Sequence, residues 1–250
     1  MLAGHYATAL VAQQRAPTRR FPAYLLAWYL AVSQLPDLLW LLFHTLGLEP
    51  TQPTDLFDVT LQDLSVEMMF SHDLVPIMGW SVLFGVLGAV FFRDLRVGLA
   101  TVALVGLHAV TDYLGGYPHH VFGPDTPVIG TGLYLTLPYL GIALEAVYIV
   151  VFVGWFLRDE RRRGVKRAPC NRRAIIGLFV FNIVFLASIA VTSMRDWFGL
   201  PAFTLPFDTT IPSLVVTYIL MGAFLWVVIR RGSNLYDAAV IDTGDALAKT

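Results

Sequence analysis

The sequence predicts an all-α, polytopic membrane protein with about six transmembrane helices and both termini cytoplasmic. Three observations carry this expectation. The 250 residues are 56% hydrophobic and only 14% charged, with a mean hydropathy of +0.65. A soluble domain carries about 25% charged residues. Six segments meet, or nearly meet, the roughly 20 apolar residues that a spanning helix needs. Arginine and lysine fall in alternate loops, as they do when a chain crosses a membrane repeatedly.

The spans cover about 22–47, 73–92, 97–114, 132–157, 173–194 and 210–230. None alternates as a barrel strand would, which leaves helices as the spanning element. Pro36 interrupts the first span, and the third is short. The first fourteen residues amount to about 21 Å of helix, too short to cross. They predict a helix on the cytoplasmic surface or a half-helix dipping into the membrane beside the first span. They lack a basic start, so no cleavable signal peptide is expected.

Orientation follows the basic residues. Arg15, Arg19 and Arg20 precede the first span; Arg93 and Arg96 flank the second turn; residues 158–173 hold the densest run of basic charge; Arg230 and Arg231 close the sixth span. The alternate loops are acidic or uncharged. Residues 48–71 and 115–131 contain no Lys or Arg, and residues 195–209 contain Arg195 alone. The expected location is the bacterial inner membrane. The domain reading is a four-span core over 1–157, a basic linker over 158–172, a two-span hairpin over 173–231 and a polar tail over 232–250. The single cysteine, Cys170, excludes an intrachain disulfide and a CxxC metal site.

Several ionisable residues lie where lipid should be. Asp37 follows Pro36. His72 and Asp73 open the second span. His108 and Asp112 lie in the outer half of the third, and Glu145 lies inside the fourth. Such groups are costly in a bilayer unless paired or hydrated, so a functional role is the default. His108 and Asp112 are one helical turn apart and can converge on one ion. Imidazole and carboxylate together form the donor set of zinc, manganese and iron sites. Bland alternatives remain open: Asp73 as an N-cap, Asp37 on backbone amides freed by the break, Glu145 with a structural partner. His119 and His120 follow a Gly-Gly-Tyr-Pro break and read as a solvated loop pair, and His44 as interfacial.

The segments AGHYATALVAQQRAP, AVSQLPDLLW, SHDLVPIMGW, GLHAVTDYLGGYP and VIGTGLYLTLPYLGIALE occur in this order over residues 3–157. Together they resemble bacterial integral membrane proteins related to the YdjM-type membrane-bound metal-dependent hydrolase family. The resemblance implies a metal site at His5, Asp37, His72 and the His108/Asp112 pair. It also implies a distant similarity to zinc-dependent phospholipase C and P1-type nucleases, hence phosphoester chemistry. One departure matters: SHD stands where the family has a histidine-serine-histidine-like segment, so Asp73 would have to substitute for a ligand.

The expectation is therefore a metal-dependent hydrolase acting on a phosphoester, a lipid phosphoester being one candidate, at the outer half of the membrane. His5, His72, Asp73, His108 and Asp112 would hold a divalent metal, zinc first. Asp37 or Glu145 would act as a further ligand or general base. Two alternatives stay open: a non-catalytic subunit or assembly factor, and a small transporter with a proton relay. Membrane lipid is the expected partner, a protein could dock on the 173–231 hairpin, and no nucleic acid is expected.

Overall fold

The computed structural model describes residues 3–16, 22–202 and 206–231; the predicted polar tail lies outside them. The described residues form the helices α1 (Gly4–Arg15), α2 (Pro22–Ser33), α3 (Leu35–Thr45), α4 (Leu74–Phe92), α5 (Leu95–Gly115), α6 (Leu133–Thr136), α7 (Pro138–Arg162), α8 (Pro169–Ser188), α9 (Met194–Phe198) and α10 (Thr210–Arg230). Strands β1 (Thr51–Gln52) and β2 (Ser65–Val66) pair antiparallel, as do β3 (His119–His120) and β4 (Val128–Ile129). Helices α4, α5, α7, α8 and α10 are each long and apolar enough to span a membrane, and α2 with α3, apolar enough together but bent, counts as a sixth if the pair is one broken span rather than a re-entrant loop. The outward faces agree: Val82, Val86 and Val90 of α4 and Val147, Val150 and Val151 of α7 are all exposed. Apolar surface of this extent suits lipid, not water.

The break in the first span has a definite cause. Pro36 has no N–H to give to the carbonyl four residues back, and its ring crowds that turn. Helix α2 therefore stops at Ser33, and α3 starts at Leu35 with the proline in its first turn. The two axes differ by 64°.

Helices α4 and α5 form the tightest pair. Arg93 turns the chain between them in a left-handed conformation. Glycines allow the close approach: a Cβ on Gly98 would lie 2.6 Å from the Gly85 carbonyl oxygen. Small residues at such crossings let helix backbones meet in lipid.

Helix α1 settles the alternative left open for the first fourteen residues. It is buried from Gly4 to Val11 and packs between α2, α5 and α7. It runs parallel to α7: the Gly4 amide meets Glu145 at one end, while Gln14 bonds the Phe156 carbonyl at the other. Arg15 lies over the Trp155 ring near the basic end. The helix is thus a half-length element within the bundle.

The acidic loops form a cap at the opposite end. Leu61 and Gln62 donate to the carbonyls of Ile189 and Ala190. Arg195, the exception in the charge pattern, binds the carboxylates of Asp55 and Asp58. His44 at the end of α3 pairs with Asp208 at 2.8 Å. The 173–231 hairpin is part of the same body, since α8 packs on α7 and α10 packs on α2 and α3.

The glycine contact gives a direct test of the α4–α5 packing. Gly98→Leu is expected to destabilise the protein by about 1–3 kcal/mol, read as lowered thermal stability of the detergent-solubilised chain. Gly106→Leu, whose Cβ meets nothing within 4 Å, should show no such loss.

Candidate metal centre

Four buried side chains meet at the inner edge of the cap. Asp37 comes from the first turn of α3, placed there by the break. His72 comes from the turn before α4, and His108 and Asp112 from one face of α5. Each offers a ligand atom, and these atoms all lie within 4.8 Å of one another. His108 Nε2 is 3.1 Å from Asp112 Oδ2, and His72 Nε2 is 3.3 Å from Asp37 Oδ1 and 3.6 Å from Asp112 Oδ2. Donors held at about 2.0–2.2 Å from one ion stand at most about 4.4 Å apart. A contraction of a few tenths of an ångström brings the whole set onto a single ion.

The histidine hydrogen bonds decide what the cluster can hold. His108 Nδ1 lies 2.8 Å from the Ser33 carbonyl oxygen. A carbonyl only accepts, so Nδ1 carries the proton and, in the neutral ring, Nε2 presents a lone pair to the cluster. His108 Nε2 is buried and faces the Asp112 carboxylate at 3.1 Å, a contact that fits both an imidazole–carboxylate pair and two ligands of one cation. A backbone carbonyl on the outer ring nitrogen is also the usual support for a metal-binding histidine. Ser71 Oγ stands 2.8 Å from His72 Nδ1 and can hold that ring in the same sense.

His5 joins from α1. Its ring stacks on His108 at a centroid distance of 3.6 Å, and its Nε2 is 3.2 Å from Asp112 Oδ1. That residue is likewise buried. Nδ1 faces Thr111 Oγ1 at 3.4 Å, and that hydroxyl has carbonyl acceptors at Leu107 and His108 for its own proton. Asp112 thus has one oxygen toward His72 and His108 and the other toward His5.

Two predicted residues stand elsewhere. Asp73 is a correction: its carboxylate accepts from the amides of His120 at 2.9 Å and Gly123 at 2.6 Å, and so ties down the β3–β4 loop. It occupies the N-cap position of α4 without a side-chain capping bond. Glu145 is fully buried but accepts from the Gly4 amide, the Tyr134 hydroxyl and Asn182 Nδ2. A carboxylate is favoured at a helix N-terminus, and here it anchors α1 one residue before His5.

The loop pair divides differently from expectation. His119 is buried and stacks on His72 at 5.3 Å, while His120 is half-buried. Neighbours in an extended strand point to opposite faces, and β3 sends His119 inward. Burial pushes the His119 pKa down to about 3, helped by the adjacent His72, so its ring is neutral at neutral pH. Sequence reasoning also missed Tyr218 of α10, whose hydroxyl donates to Asp37 Oδ2 at 2.9 Å. Glu49 was missed too: it accepts the amides of Phe70 and Ser71 beside His72, and burial raises its pKa. A tyrosine in an apolar run and a glutamate in an acidic loop carry no signal of these roles.

The cluster opens on a cavity of about 310 Å³. Asp37, His72, Asp112 and His119 form its polar end. The rest is largely apolar, with walls from the 56–68 loop, the end of α8 and one face of α10. This volume lies at the lower end of the range for ligand pockets, about 300–1,000 Å³.

No protein-family model, no curated protein and no solved structure matches the chain. The resemblance drawn from the sequence therefore rests on its quoted segments.

Elemental analysis of purified protein tests the ligand assignment. His108→Ala and Asp112→Ala are expected to abolish stoichiometric divalent metal, while Asp73→Asn should retain it. Tyr218→Phe, which frees one Asp37 oxygen, should weaken metal affinity by about 10–100-fold in chelator competition.

Proposed function

We propose that this protein is a metal-dependent hydrolase of the membrane, related to the YdjM-type family and acting on a phosphoester. The observation that carries the reading is the buried set Asp37, His72, His108 and Asp112, whose ligand atoms all lie within 4.8 Å of one another. Two carboxylates with neutral histidines carry a net charge of −2, which one divalent ion neutralises. The set is nitrogen and oxygen only, which suits zinc, manganese or iron; zinc is the first choice for compact His/Asp sites.

Asp37, His72, His108 and Asp112 would hold the ion, with His5 as a fifth donor on the Asp112 side. When bound, such an ion lowers the pKa of water and polarises a phosphoryl oxygen. The protein's own residues supply the rest. Asp37 is oriented by Tyr218, and His108 by the Ser33 carbonyl. His119 lines the cavity as a neutral ring able to hydrogen-bond a bound substrate. Glu145, with three bonds inside the bundle, is a positioning residue for α1 and not the general base. The cap and bundle shield the centre, so substrate reaches it through the cavity.

Purified, metal-loaded protein is expected to hydrolyse bis(4-nitrophenyl) phosphate, with loss on chelation and recovery on adding zinc or manganese. His72→Ala should lower kcat/KM by more than the about 10–100-fold typical of changes outside the ligand shell. A protein that binds metal stoichiometrically yet cleaves neither phosphodiesters nor phosphomonoesters would sink the hydrolase reading and leave a structural metal centre.

A further inference from the structure

We propose that the cavity beside the metal centre holds the hydrocarbon chain of a lipid phosphodiester, with the α8–α10 hairpin as the element that selects it. This inference rests on the hydrolase reading for the scissile group, but the chain site stands on its own observations. Asp37, His72 and Asp112 line the same cavity as Leu186, Ile189 and Leu214, and α10 adds the hydroxyls of Thr210, Ser213 and Thr217 to a lining that is otherwise mostly apolar. A molecule with its polar group at the centre would have an apolar part against the hairpin side. Water-soluble phosphoesters have nothing to place there, and apolar walls facing water are unfavourable.

The cavity is partly open, and its wall includes Met194 in α9. Three and four residues on, Trp197 and Phe198 are both exposed. Trp197 bonds the Ser188 carbonyl through Nε1 and so is held at the end of α8. Aromatic residues in this position sit at the membrane–water interface. In a bilayer they would hold α9, and with it the Met194 side of the cavity, at lipid-headgroup level, within reach of a lipid chain.

Charge narrows the headgroup. Among the described residues lining the cavity there is no lysine or arginine, and the carboxylates are Asp37 and Asp112. Arg195, nearby in the cap, is bound to Asp55 and Asp58. With its two carboxylates matched by one divalent ion, the centre has little charge left to attract a dianionic monoester. A monoanionic diester costs less to bring in. Hydrolysis would then form one P–O bond to the oxygen of water and break the ester P–O bond, with a water proton ending on the leaving alcohol.

The test uses the full chain in detergent and four probes. Palmitoyl-lysophosphatidylglycerol is a diester with a chain, glycerophosphoglycerol the same diester without one, and lysophosphatidic acid a chain-bearing monoester. Hexadecylphosphonate monomethyl ester serves as a slowly reacting analogue for native mass spectrometry. Wild type is expected to retain the phosphonate and to favour the chain-bearing diester over both other substrates. Ser213→Phe on α10 and Ile189→Phe beyond α8 fill the cavity from different sides, with metal content as the folding control. Each should lower phosphonate retention, and the ratio of kcat/KM with and without the chain, by about tenfold or more. Equal retention by wild type and both variants would overturn the chain site. A preference for lysophosphatidic acid would overturn the diester assignment. Chain-dependent retention without hydrolysis of any probe would remove the hydrolase reading and keep the chain site.

Discussion

The bond from His108 Nδ1 to the Ser33 carbonyl is the contact on which the centre depends. In an unbroken helix that carbonyl would accept the amide of Asp37. Pro36 ends α2 first, and the released carbonyl takes the histidine instead. The same break turns Asp37 out of the helical register of α2 and into the cluster. One proline therefore brings a carboxylate to the cluster and fixes the tautomer of an imidazole from another helix. Non-helical backbone at membrane depth is tolerated where it is buried in protein, and here the freed group is put to use.

The centre also needs a short helix to end at its own depth. Helix α1 does so because Glu145 receives its first described amide, and Tyr134 and Asn182 hold Glu145 in turn. That arrangement joins α1, α6, α7 and α8 at one buried carboxylate. It also explains a glutamate within an apolar span without giving it a part in chemistry. An unpaired carboxylate there would be costly; with a helix terminus, a phenol and an amide it is accommodated. His5 reaches Asp112 as a consequence.

The spans, the broken first helix and the pair His108/Asp112 were legible from hydropathy, from Pro36 and from spacing of four. Those signals are local, and local signals survive folding when tertiary packing agrees with them. What could not be read depended on direction. Asp73 and His72 are neighbours, yet one carboxylate turns to the amides of His120 and Gly123 while the other side chain enters the cluster. His119 and His120 look equivalent until the two-residue strand sends them opposite ways. Tyr218 is 181 residues from the aspartate it bonds, a separation no motif spans. The half-length α1 was recognised as too short to cross, but its choice between surface and interior depended on a partner in the fourth span.

The 173–231 hairpin changes standing on the same grounds. Composition marks it as a separate two-span unit behind a basic linker. Packing makes it a wall of the site: α10 holds Asp37 through Tyr218, and the Tyr218 carbonyl accepts from Tyr6 of α1. The half-helix that carries His5 and the helix break that carries Asp37 are therefore linked through α10. The linker is likewise bound in, since Arg167 pairs with Glu160 at the end of α7 and reaches the carbonyl of Val228 at the end of α10. A four-span core alone would leave Asp37 with an unpaired oxygen and the cavity without one side. The candidate metal centre and the apolar chamber beside it belong to one body, and the hairpin supplies one wall of the chamber.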